Sequence, residues 1–85
     1  MIQITIKEDE PMAKLIEARA AQSGRSITDV AEETVREGFD ILLKTLHDEF
    51  MKGEISQGKM AELLGISRVD LIHLLEALDL QITNL

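Results

Sequence analysis

Apolar and polar residues alternate with a period of two at the start of the chain and with a helical period almost everywhere after it. Ile2, Ile4 and Ile6 alternate with Gln3, Thr5 and Lys7. β-Branched residues at period two predict a half-buried strand, isoleucines on one face and polar residues on the other. The pattern ends at Glu8-Asp9-Glu10. Pro11 suits the first position of a helix, where its missing N–H has no partner to lose. The acids before it favour the positive helix end. Met12, Leu15, Ile16 and Ala20 then form one apolar stripe. Gly24 is a natural stop, because glycine tolerates the left-handed conformation.

Ser26 opens the next helix, with its hydroxyl placed to cap a free N–H and Asp29 at the reciprocal position. Ile27, Val30, Ala31, Thr34, Val35, Ile41, Leu42, Leu46 and Phe50 keep a helical period. Gly38 interrupts it at a cost of ~1 kcal/mol relative to Ala. Two arrangements fit: helices over about 27–37 and 39–51, or one long helix that keeps the Gly for close packing. Gly53 marks the end. Ser56 then caps a short helix over residues 57–64, Gly65-Ile66 is a turn, and Ser67 caps a last helix running to about Asp79. Leu80-Gln81-Ile82-Thr83 alternates and predicts a short, weak strand.

A lone strand has no partner for its backbone groups, and even one isolated hairpin is marginal. Apart from the C-terminal alternation, the partner has to come from another copy. Two identical N-terminal strands paired about a two-fold axis would bury Ile2, Ile4 and Ile6 and present Gln3, Thr5 and Lys7 twice. A two-stranded ribbon has the width to enter a DNA major groove.

Composition points the same way on assembly. A chain of 85 residues buries too little surface to be comfortable alone. Small chains compensate with disulfides, a metal or oligomerisation. The sequence contains no Cys, and His47 and His73 lack ligand-pair spacing, so no metal or cofactor is expected and a homodimer is. No apolar run approaches membrane length, and no basic stretch precedes an apolar one at the N-terminus. A cytoplasmic protein without membrane contact is the expectation. The net charge of −7 works against DNA phosphates and suits a basic protein partner. It is spread evenly, −3 over residues 1–38 and −4 over 39–85, so any DNA-binding surface has to be local.

Residues 3–7, the helix over 11–23, the turn Gly24-Arg25-Ser26 and the run Thr34-Val35-Arg36-Glu37-Gly38-Phe39 together resemble the ribbon-helix-helix family of Arc- and MetJ-like repressors. The turn is the most specific part. The resemblance implies an intertwined homodimer in which Gln3, Thr5 and Lys7 read bases and Arg25, Ser26 and Ile27 grip a phosphate. Both roles make chemical sense. Gln pairs with adenine, Lys donates to guanine and Thr bonds a base or touches a thymine methyl; a helix N-terminus binds phosphate through free N–H groups. Glu8-Asp9-Glu10 departs from that picture, with three acids beside the reading face.

Residues 53–85 resemble a helix-turn-helix, with Gly65 in the turn, Ala61 at the helix crossing, and Leu64, Ile66, Leu71 and Leu74 at core positions. The stretch Gly53-Glu54-Ile55-Ser56-Gln57-Gly58-Lys59-Met60-Ala61-Glu62-Leu63-Leu64-Gly65-Ile66-Ser67 also looks like one found in small antitoxin-like prokaryotic proteins, which implies a toxin–antitoxin setting. The outward face of the last helix would hold Ser67, Arg68, Val69, Ile72, His73 and Glu76. Reading helices offer Arg, Lys, Asn and Gln to bases; exposed aliphatics mark protein contacts. Arg68, Val69, Ile72 and His73 are therefore assigned to a protein partner.

Plainer readings exist for each feature. Gln3, Thr5 and Lys7 would also suit an ordinary solvated face; the Gly24-Arg25-Ser26 turn favours DNA. Ser26 is a helix cap under every reading. Glu32-Glu33 and Asp48-Glu49 read as solvated charges, and Met12, Met51 and Met60 as core filler. No phosphate loop or nucleophile motif is present, and no catalytic residue is expected. The expected fold is mainly α with one N-terminal strand: a ribbon-helix-helix dimer over residues 1–52 and helix-turn-helix-like helices over 53–85. The expected function is a DNA-binding antitoxin that represses its own operon and binds a basic toxin through its C-terminal half. The alternative is a protein-binding adaptor that keeps the dimer fold without DNA affinity.

Overall fold

The computed structural model describes residues 2–84, and its regular elements are four helices: α1 (Pro11–Ser23), α2 (Ile27–Met51), α3 (Gln57–Leu64) and α4 (Arg68–Ala77). Local chemistry sets most of their ends. Pro11 starts α1, and Gly24 ends it in the left-handed region at φ 68°, its N–H donating to the Ala20 carbonyl. The Ser26, Ser56 and Ser67 hydroxyls each accept, at 3.0 Å, the N–H of the residue three positions on, namely Asp29, Lys59 and Asp70. Gly65, at φ 72°, closes α3 by donating to the carbonyls of Ala61 and Glu62.

α2 is one helix of 25 residues and runs through Gly38. The glycine lies in the helix interior with open space where a Cβ would stand. The cost of one Gly is small beside the bonds that 25 helical residues make, so the helix continues.

The expected ribbon-helix-helix fold is overturned at its first element. Among the described residues there is no strand, and residues 2–7 belong to no helix or strand; Met1, the first residue of the expected strand, lies outside the described residues. The reason is that alternation makes a strand only when a neighbour completes the ladder, and the described residues supply none. The isoleucines part company as a result. Ile6 is half-buried against the Ile16, Ala20 and Val30 cluster, while Ile2 and Ile4 are 88% and 59% exposed. The C-terminal alternation fails likewise: residues 80–83 form no strand.

The chain divides into two compact units, Met1–Asp40 and Ile41–Leu85. The first is centred on Ile16, Ala20 and Val30, with Ala13 also buried. The second packs Leu43, Leu46, Phe50, Met60, Ala61, Leu71 and Leu75 together. Its tail is tied back by side chains. His47 Nε2 donates to the Gln81 carbonyl at 2.9 Å, Gln57 Nε2 to the Ile82 carbonyl at 3.0 Å, and Asn84 Nδ2 to the Phe50 carbonyl at 3.2 Å. The first two bonds satisfy carbonyls that a strand partner would otherwise have taken, and the third serves a carbonyl at the end of α2; Leu80 and Ile82 pack on the core.

Candidate functional site

In the first unit, Gln3, Thr5 and Lys7 are all exposed. They stand in one short segment, followed by a turn in which the Glu10 N–H donates to the Lys7 carbonyl at 3.1 Å. Ser26 and Ile27 sit at the start of α2 and are exposed. The Ser26 hydroxyl is spent on the Asp29 N–H.

Arg25 is not a free cation. Its Nη1 donates to Glu33 Oε2 at 2.7 Å. The same carboxylate oxygen lies 3.8 Å from Arg19 Nη2, which also donates to Glu37 Oε1 at 3.2 Å. Arg25, by hydrogen bond and by charge, holds the Glu33 carboxyl below its ordinary value. The hydrogen bond and charge of Glu37 raise the Arg19 guanidinium further above its own. The sequence alone reads Glu33 as a solvated charge and gives Arg19 and Glu37 no role of their own. The available signal was the four-residue spacing of Glu33 and Glu37, which puts both on one face of a helix. The arginines join them only through the fold.

In the second unit, α3 and α4 are separated by a turn that Gly65 opens and Ser67 closes, where the sequence places them. Met60 and Ala61 are buried on α3, Leu71 and Leu75 on α4. Val69 stands 60% exposed and Leu63 49%; Ile72 is half-buried, while Arg68 and His73 are exposed. Arg68 Nη2 donates to Gln57 Oε1 at 3.0 Å, joining the starts of the two helices. Glu62, Asp70 and Glu76 are exposed on the same two helices, so cations are outnumbered there.

Among the described residues, no three His, Asp or Glu side chains gather as a metal-binding group, and no helix is long and apolar enough to cross a membrane. Comparison with known protein families, with characterised proteins and with solved structures finds no match to this chain.

Proposed function

We propose that the protein is a non-catalytic regulator of the antitoxin type, a homodimer whose first unit contacts DNA and whose second unit holds a basic protein partner. The observation that carries this reading is the division of the chain into two units with separate cores. The second unit closes its own core and still leaves Leu63 and Val69 outside, on helices that bear Glu62, Asp70 and Glu76. Apolar contact area with an acidic surround suits a basic partner. The first unit buries little and exposes Ile2, Ile4, Met12, Leu15, Ile27, Val35 and Phe39. A second copy covering part of that surface is the route by which a small chain gains a sufficient core. Gln3, Thr5 and Lys7 lie in solvent beside it, with side chains suited to base edges.

The second reading, an adaptor without DNA affinity, draws support from the Arg25–Glu33 pair and the net charge of −7. Binding of the full chain to its own promoter DNA, with salt varied, separates the two. Under the first reading, Gln3→Ala loses about 1–3 kcal/mol of specific affinity. Arg25→Ala weakens binding to all sequences and lowers the salt slope by about one unit. If both variants bind as the parent does, the N-terminal unit is not a DNA reader. Val69→Asp and Ile72→Asp should abolish co-purification with the neighbouring gene product while sparing DNA binding. The reverse pattern would place the DNA contact on α4.

A further inference from the structure

From the positions of two arginines on different elements, we infer that Arg19 and Arg25 form a cradle for a backbone phosphate of nucleic acid, and that Glu33 occupies this cradle as an internal stand-in. The inference rests on the DNA reading above for the identity of its ligand. Arg19 comes from α1 and Arg25 from the turn before α2, yet both guanidiniums approach one oxygen, Glu33 Oε2, at 3.8 and 2.7 Å. A phosphodiester presents the same kind of anionic acceptor, and guanidinium groups match it in charge and geometry. Beside the pair lies a cleft of about 290 Å³ lined by Arg19, Gln22, Ser23, Arg25 and Val30. Gln22 brings a further amide donor to its wall.

The two arginines and their two carboxylates, Glu33 and Glu37, cancel in charge. A phosphate therefore gains from the cradle only by displacing a carboxylate. That exchange is accessible, because the partners are 37–49% exposed and ion pairs in water are weak. Glu33 is held ionised by Arg25, so a mild fall in pH does not open the site. Removing the Glu33 charge does. Glu33 thus restrains indiscriminate phosphate binding and yields where the rest of the DNA contact is in place.

The test follows the Arg Nε–Hε signals of the full chain by NMR during titration with inorganic pyrophosphate. Glu33→Gln, an exposed and nearly isosteric change, should shift both arginine signals at a pyrophosphate concentration about two- to five-fold lower than the parent needs. Arg19→Ala in that background should remove the gain. The inference is overturned if pyrophosphate moves neither signal in Glu33→Gln, or if Arg19→Ala leaves the gain intact. Far-UV circular dichroism checks that the variants fold. A parallel titration with promoter DNA separates the two claims. Glu33→Gln should steepen the salt slope by about one unit. Pyrophosphate binding without DNA binding would keep the anion cradle and remove the DNA reading.

Discussion

The two units of this chain are of similar length and bury very different things. The second gathers Leu43, Leu46, Phe50, Met60, Leu71 and Leu75 around Ala61, with Met60, Leu71 and Leu75 at 0% exposure. The first has two alanines among its four buried apolar residues and exposes seven large apolar ones, against five in the second (Ile41, Leu42, Leu63, Val69 and Leu78). The second unit closes a larger core of its own, and the first buries less; on the proposed reading a second copy completes the first. Apolar area withdrawn from water is the main source of stability at this size, so the contrast assigns different work to each half.

The largest effect should come from the core of the second unit. Leu71→Ala leaves a cavity at a position with no solvent access and should cost about 2–5 kcal/mol in the second unit. Leu15→Ala in the first unit, where half the side chain is already exposed, should change the stability of the dilute protein by no more than about 0.5 kcal/mol. Chemical denaturation of the two variants measures both. A large loss from Leu15→Ala in dilute protein would show that the first unit needs no second copy.

Concentration sharpens the same contrast. If a second copy completes the first unit, amide exchange over residues 11–36 should slow as protein concentration rises, while protection around Met60, Leu71 and Leu75 stays constant. Equal and concentration-independent protection in both units would break the comparison.

Two glycines offer a smaller effect of opposite sign. Gly65→Ala places a Cβ at φ 72° and should destabilise the second unit by about 1–2 kcal/mol. Gly38→Ala lies inside α2 with open space around it and should stabilise that helix by up to ~1 kcal/mol. Thermal melts decide both. A loss of stability from Gly38→Ala at high concentration only would locate a close approach of the second copy at that turn of α2.

The smallest effect belongs to Glu33. Its carboxyl is held below the ordinary value, chiefly by the Arg25 hydrogen bond. The stabilisation is therefore fully present above the unfolded-state value and disappears as pH falls through the lowered folded-state value. Between neutral and acid pH the parent should lose slightly more melting temperature than Glu33→Gln. The difference should be small, because the pair stands in water. Parallel melting curves for the two proteins would rule out this linkage.

Much of the helical layout is local and was legible for that reason. Pro11, Gly24, Ser26, Gly53, Ser56, Gly65 and Ser67 act on backbone groups within a few positions of themselves, so their residue types alone predict where helices start and stop. The two helices α3 and α4 and the turn at Gly65 are legible from the same signals, but of the core positions expected there only Leu71 is buried; Leu64, Ile66 and Leu74 are half-buried, and Leu75, which the sequence reading does not single out, is buried instead. The strand expected at residues 2–7 does not form because alternation is a local signal and strand formation is not: it depends on a neighbour that is absent among the described residues. The run through Gly38 was left open because one local cost had to be weighed against the packing of a whole helix. Arg25 is assigned to a phosphate only by the resemblance of its turn. It is tied to a carboxylate eight residues on, and Arg19 to one eighteen residues on. By itself the sequence determined the helix ends, the charge balance and the absence of cysteine chemistry. Only the tertiary structure decided which apolar residues are covered and which charges meet, because both depend on contacts between residues far apart along the chain.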